Sequence, residues 1–283
     1  MSLSVFWFRR DLRIEDNAGL YSALKEQGEN VRPIFIFDTE ILSQVKDHKD
    51  ARVAFIHQTV ADLKAQFQKF NSDLWVFHGK PQKIFGELFE KHRIKAVYCN
   101  HDYEPQAIKR DEQIAKLCKS SEAEFKTFKD QVIFEKDEIL SRQQTPYTVY
   151  TPYKKKWLAS LSSFYLKPYP TEKYLKALHK TQSPKKLLSL KELGFEKPHE
   201  IQIPKAELKK DLFRKYTEQR DFPALDATSH LGIHLRFGTM SIRKLVQEAR
   251  TLNATWLSEL IWREFFMQIL FHFPHVEKAS FRP

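Results

Sequence analysis

Two stretches of this 283-residue chain hold residues whose types and spacing could do chemistry. In WLSELIWREFFMQILFHF (256–273), Glu259, Trp262 and Arg263 are spaced i, i+3, i+4 and share one face of a helix. Leu260, Ile261, Phe265, Phe266, Ile269 and Leu270 wrap most of the other faces. Glu259 and Arg263 stand at the spacing of an intrahelical ion pair, so a structural pair is the plain expectation. Burying both charges is costly unless they meet partners or a polar ligand, and a tryptophan beside them points to a pocket wall. In RDFPALDATSHLGIHLRFGTMSIRKL (220–245), Thr228 and Ser229 stand where a helix would begin. Gly238 stands where it would end, and Ser241 where the next would be capped. Hydroxyls and free N–H groups at such a start can hold an anion, although ordinary capping accounts for most of them. His230 and His234 are four apart, as paired metal ligands on a helix are, but no third ligand accompanies them and no metal site is expected. No serine stands out as a nucleophile.

These residues need elements to position them. The short apolar runs LSVFWF, VRPIFIFD, DLWVFHG, KAVYCN and EFKTF within residues 3–130 read as buried strands. Helical patterns separate them, the clearest having Val53, Ile56, Val60, Leu63, Phe67 and Phe70 at gaps of three and four, and Pro81 opens another. The alternation predicts an α/β domain with a doubly wound, parallel five-stranded sheet over residues 1–130, whose ligands would lie beyond the carboxyl ends of strands. The first strand runs into RRDLRIEDN without a glycine-rich turn, so the usual dinucleotide fingerprint is absent. Prolines 146, 152, 168, 170, 184, 198 and 204 break up residues 131–204, which read as an inter-domain connector. Helical patterning resumes over 205–283 without strands. A helix apolar on nearly every side, followed by only ten residues, predicts that its partners lie elsewhere and that the chain is part of a longer one.

Charge is uneven. Residues 1–130 hold 21 Lys+Arg against 20 Asp+Glu, and the remainder holds 26 against 16. The basic second part suits a polyanion such as DNA. Two cysteines make no disulfide framework, and neither a signal peptide nor a long apolar run is present; the expectation is a soluble, cytoplasmic protein with no membrane partner.

Taken in order, VFWFRRDLRIEDNAGL, YCNHDYEPQAIKRD, YTVYTPYKKKW, RDFPALDATSHLGIHLRFGTMSIR and ELIWREFF resemble segments of the photolyase/cryptochrome family of blue-light flavoproteins, across essentially the whole chain. The resemblance implies an α/β antenna domain followed by the start of an all-α FAD-binding domain. It implies that Tyr216 and the run Thr228, Ser229, His230, Leu231 and Gly232 contact FAD, and that Trp256 and Arg263 line the flavin. Glu259 and Trp262 match the positions that hold and stack on the damaged base pair once the lesion has been flipped out of the duplex, with Arg263 beside them at the DNA. The implied activity is that of a deoxyribodipyrimidine photolyase: light-driven electron transfer from reduced FAD splits cyclobutane pyrimidine dimers in UV-damaged DNA, and the full-length protein is a monomer.

Three departures qualify that expectation. His230 and Gly232 stand where most members carry Arg and Ser. Gln106-Ala107 stands where folate-binding members carry Asn-Glu, which argues against folate as the second, antenna chromophore. The helical stretch that completes the flavin enclosure in the family does not follow, so the 283 residues alone are expected to be inactive and to hold little FAD. A signalling cryptochrome is the alternative, and a stand-alone nucleotide-binding α/β module with a dimerising helical tail is a third reading.

Overall fold

The computed structural model describes residues 2–28, 30–198 and 203–281; Met1, Glu29, residues 199–202 and the last two residues lie outside the described set. The five expected strands form, as β1 (Leu3–Phe8), β2 (Val31–Asp38), β3 (Trp75–Gly79), β4 (Ile94–Asn100) and β5 (Glu124–Phe128). They pair in parallel in the order β3-β2-β1-β4-β5. Helices α1 (Ala18–Gln27), α2 (Thr39–Leu42), α3 (Ala51–Gln68), α4 (Pro81–Lys91) and α5 (Pro105–Ser120) connect them. All six residues of β1 are buried, because helices cover both faces of the central strand. One face packs Phe6, Phe8, Val60, Leu63 and Phe67 together, the other Val5, Trp7, Phe85, Val97 and Ile114. Cys99 and Cys118 are buried and unpaired.

The strand order reverses between β1 and β4, the place where open α/β sheets hold their ligands. Here side chains and a turn from the helical region fill it. Arg9 pairs with Asp111 and donates to the Asn100 carbonyl, while the Asn100 amide bridges Asp11 and Asn17 at 2.6 and 2.8 Å. Onto this loop sits Gly238, whose carbonyl accepts from Arg13 at 2.9 Å, while Leu12 donates its N–H to the Phe237 carbonyl at 3.0 Å. Beside it, Arg243 grips Asp16 and Asp130, and Arg13 takes Asp130 from the other side at 2.7 Å. All four side chains are nearly excluded from solvent. Burial pushes the Asp130 carboxyl up, but the two guanidiniums prevail and hold it below the usual range. The charges of RRDLRIEDN thus lock the sheet to the helical part.

The helical part comprises α6 (Tyr150–Ser160), the short α7 (Lys210–Arg214), α8 (Tyr216–Gln219) and α9 (Gly232–Phe237), then α10 (Ile242–Leu252) and α11 (Ala254–His272). Ser241 caps α10, accepting from the Arg243 and Lys244 N–H groups, and Asn253 caps α11. The expectation that α11 would find no partners is corrected. Ile133, Phe134, Tyr153, Trp157 and Leu166, from the connector, and Leu245, Val246 and Ala249 of α10 pack around Leu257, Leu260, Ile261, Phe265 and Ile269. Phe266 alone among its large apolar residues stays 60% exposed. The connector also serves the sheet, where Leu175, Ala177, Leu178, Leu193 and Phe195 join the α1/α3 core. Short proline-bounded segments of this kind can drape over two cores where a regular helix could not.

Candidate functional site

A cleft of about 480 Å³ lies between residues 203–213 and 226–230, lined by Lys205, Lys209, Phe213, Asp226, Thr228, Ser229 and His230, among others. The helix expected to open at Thr228 begins later, at Gly232, because Ser229 spends its hydroxyl on the Leu231 N–H (3.4 Å) and His230 adopts a left-handed backbone (φ 51°). That turn carries the exposed Thr228 and the half-buried Ser229 to the rim of the cleft instead of into a helix. Thr228 makes no hydrogen bond among the described residues, and Gly232 has open space where a β-carbon would be. His230 pairs with Asp226 at 2.7 Å and holds that carboxyl below its ordinary range. His234 faces elsewhere, between Thr239 and the Pro204 carbonyl, so the two histidines do not form a ligand pair. Leu231 is buried in the helical core.

Aromatic rings close the cleft on its inner side. Phe213, on its wall, stacks on Trp256 of α11 with centroids 3.8 Å apart. One turn further along α11, Glu259 is reached, and the expected Glu259–Arg263 ion pair is corrected. Glu259 pairs with Arg220 at 2.5 Å, whose guanidinium also lies 5.4 Å from the Tyr216 ring. Arg263 donates to the carbonyls of Gln131 (2.8 Å) and Leu235 (3.2 Å), and burial, with Arg10 nearby, pushes its pKa down to about 10. Trp262 stacks on Tyr150, so none of Glu259, Trp262 and Arg263 lines the cleft itself.

Several participants gave no signal at the level of spacing: Lys205 and Lys209 in the cleft, Arg220 and Tyr150 against α11, and Glu264. Glu264 lies on the buried face, accepting N–H donors from Ile133 (2.7 Å), Phe134 (2.9 Å) and the Trp157 indole (2.5 Å). Burial pushes its carboxyl up to about 7 against those donors. It ties the connector to α11 directly behind Arg263.

Hydroxyls, two lysines and a histidine line the cleft beside the carboxylates of Glu207 and Asp226 and the Phe213 ring, and the positive and hydroxyl groups among them can hold an anionic group. Among the described residues no group of three or more His, Cys, Asp or Glu side chains is placed to hold a metal ion, and no helix is long and apolar enough to cross a membrane.

A doubly wound parallel sheet locked to a helical layer that carries such a cleft defines an α/β protein with an appended helical part. Residues 4–173 match the DNA photolyase family, and the chain belongs to that family. It is 32% identical to the deoxyribodipyrimidine photo-lyase of Synechococcus sp. PCC 6301, over 98% of this chain and 62% of that one. It is 31% identical to an uncharacterized 31.6 kDa protein of Synechococcus sp. PCC 6716, over 93% of this chain and 99% of that one. Among solved structures, an archaeal photolyase from Sulfolobus tokodaii with two FAD molecules superposes with a TM-score of 0.74 at 27% identity, over 99% of this chain and 62% of that one. The chain thus spans less than two thirds of the length of the photo-lyases it matches.

Proposed function

We propose that the chain serves light-driven repair of cyclobutane pyrimidine dimers in UV-damaged DNA, with FAD as its cofactor. The observation that carries this reading is the cleft at Thr228, Ser229 and His230, whose hydroxyls and flanking lysines suit a diphosphate and whose Phe213 wall is backed by Trp256 of α11, the helix that also carries Glu259 and Trp262. The donor set fits the cofactor. Thr228 and Ser229 would hold the FAD phosphates with Lys205 and Lys209 neutralising their charge, Gly232 would admit close approach, and Phe213, backed by Trp256, would form a wall, whereas Tyr216, Leu231 and Arg263 stand outside the cleft. FAD supplies single-electron donation under blue light when bound.

The residues of the chain bind, orient and exclude water. Glu259 accepts hydrogen bonds from a flipped-out pyrimidine pair, Trp262 offers it an aromatic face, and Arg263 fixes the backbone carbonyls behind them. The positive balance of residues 131–283 draws the DNA backbone. A second, antenna chromophore belongs to the same proposal, with folate disfavoured at Gln106-Ala107. Glu259, rather than the Gln that members acting on the (6-4) lesion tend to carry, favours the cyclobutane dimer, and the names of the photo-lyase relatives favour repair over cryptochrome signalling.

The test is binding of a duplex carrying one thymine dimer against the same duplex undamaged. Tighter binding to the damaged duplex, lost in Trp262→Ala and Glu259→Ala, is expected; equal affinity for both duplexes would refute the reading.

A further inference from the structure

Trp262 does not stand alone on the surface of α11. The Tyr150 ring lies against it with centroids 3.5 Å apart and planes inclined by 9°, closer to parallel than nearly any other aromatic pair in the described residues. The two residues are 112 positions apart in sequence, so nothing local brings them together. Tyr150 is itself pinned: its hydroxyl lies 2.6 Å from the Ser258 hydroxyl and donates to the Ser258 carbonyl at 2.8 Å. Lys154, one turn along α6, donates to the same Ser258 hydroxyl at 3.1 Å. Ser258 lies one turn before Trp262 on α11. The tyrosine is therefore held at both ends of its contact, by its hydroxyl at Ser258 and by its ring at Trp262, with Phe265 edge-on behind both.

We propose that Tyr150 is a positioning residue for Trp262, a role that rests on the reading of Trp262 as the platform for a flipped pyrimidine. An exposed tryptophan on a helix can turn about two side-chain torsions, and each alternative orientation would present a different surface to a base. A parallel ring at van der Waals distance removes those alternatives and covers one face. The exposed Phe266 ring, 5.4 Å away and inclined by 23°, borders the indole, so a base meets the edge and surface left between them in a fixed orientation. Binding then costs less side-chain ordering than it would on a free indole. The Ser258–Lys154 clasp keeps the backing ring from following the tryptophan out of place.

The position acts on recognition of the lesion, not on attraction to DNA as a polyanion. Its readout is the ratio of affinities for dimer-containing and undamaged duplex, measured in variants whose urea unfolding midpoints match the wild type, because a general loss of structure would lower the ratio as well. Tyr150→Ala is expected to lower that ratio about tenfold, the scale of one base–aromatic stack. Tyr150→Phe, which keeps the ring and loses the hydroxyl, is expected to restore most of it, with Ser258→Ala matching Tyr150→Phe. A second measurement needs no DNA: acrylamide quenching of the Trp262 emission, isolated by subtracting the spectrum of Trp262→Phe, should rise in Tyr150→Ala and not in Tyr150→Phe. A ratio unchanged or raised in Tyr150→Ala, or Trp262 quenching indifferent to Tyr150, would overturn the proposal while leaving the repair reading intact. A wild-type protein without preference for the dimer would overturn the repair reading, and the role of Tyr150 with it.

Discussion

Gly238 rests directly on the backbone of Arg10: a β-carbon at Gly238 would lie 2.1 Å from the Arg10 carbonyl oxygen. Its φ of +65° ends α9 in the left-handed conformation, so one residue both stops a helix and closes the junction between sheet and helical part. Gly194 is left-handed too (φ 85°, ψ 16°), with nothing within 4 Å of such a β-carbon. The pair separates two effects. Gly194→Ala should cost about 1 kcal/mol from the backbone alone, and Gly238→Ala about 3 kcal/mol or more, because backbone atoms on Arg10 and Asp11 must also give way. Urea unfolding of both variants measures this, and equal losses would mean that the contact does not matter.

The Asp130 carboxylate is shared by Arg13 and Arg243 in a site nearly closed to water. Removing its charge leaves two buried cations with one partner fewer, so Asp130→Asn should cost about 3 kcal/mol at neutral pH. The folded pKa is depressed below the ordinary 3.8. Its contribution is therefore complete above pH 3.8 and lost as pH falls through the lower folded value. Acid unfolding should be steeper below about pH 4 in the wild type than in Asp130→Asn, as equilibrium unfolding between pH 2.5 and 5 would reveal.

The displacement at Glu264 runs the other way. Its folded pKa of about 7 lies above the ordinary 4.5, so the fold binds the proton more tightly than the unfolded chain does. Stability from this group is greatest below pH 4.5 and falls as pH rises to about 7, by up to about 3 kcal/mol. Glu264→Gln should abolish that slope. It should also cost about 2 kcal/mol at pH 5, because an amide nitrogen would face an N–H donor at Ile133 or Phe134. Urea midpoints across pH 5–8 decide the matter, and parallel curves for the two proteins would contradict it.

The three inner strands were legible because buried parallel strands are written as short runs of Val, Ile, Phe and Trp between helical patterns. Although all five runs coincide closely with strands, β3 and β5 are half-exposed at the edges of the sheet and not buried as expected. Ser241 and Gly238 were legible as helix ends because their signals are local. What escaped was long-range. Glu259 sits at ideal spacing for Arg263, yet pairs with Arg220, 39 residues away, because Arg263 is drawn inward to two backbone carbonyls. Glu264 is one of several charges on a helix until its donors, about 130 residues distant, are known. RRDLRIEDN could be read only as a segment without a glycine-rich turn, whereas the partners of its charges on Gly238 and Arg243 make it a joint. The cleft was only half legible: Thr228 and Ser229 announced hydroxyls at a helix start, which the structure moves to Gly232, but Lys205 and Lys209 precede the first helix of the 205–283 region in a stretch whose path no periodicity foretells.

The central claim is that the rim formed by Thr228, Ser229 and His230 receives the diphosphate of a flavin nucleotide. Fluorescence anisotropy titrations of FAD and of riboflavin, which lacks the diphosphate and the adenosine, test it without requiring tight binding, the double variant at the rim assigning the difference to the phosphates. The account predicts saturable binding of FAD, at least about tenfold stronger than that of riboflavin, with the difference erased in a Thr228→Ala/Ser229→Ala double variant. Equal affinities for the two flavins, or an FAD affinity indifferent to the double substitution, would contradict it.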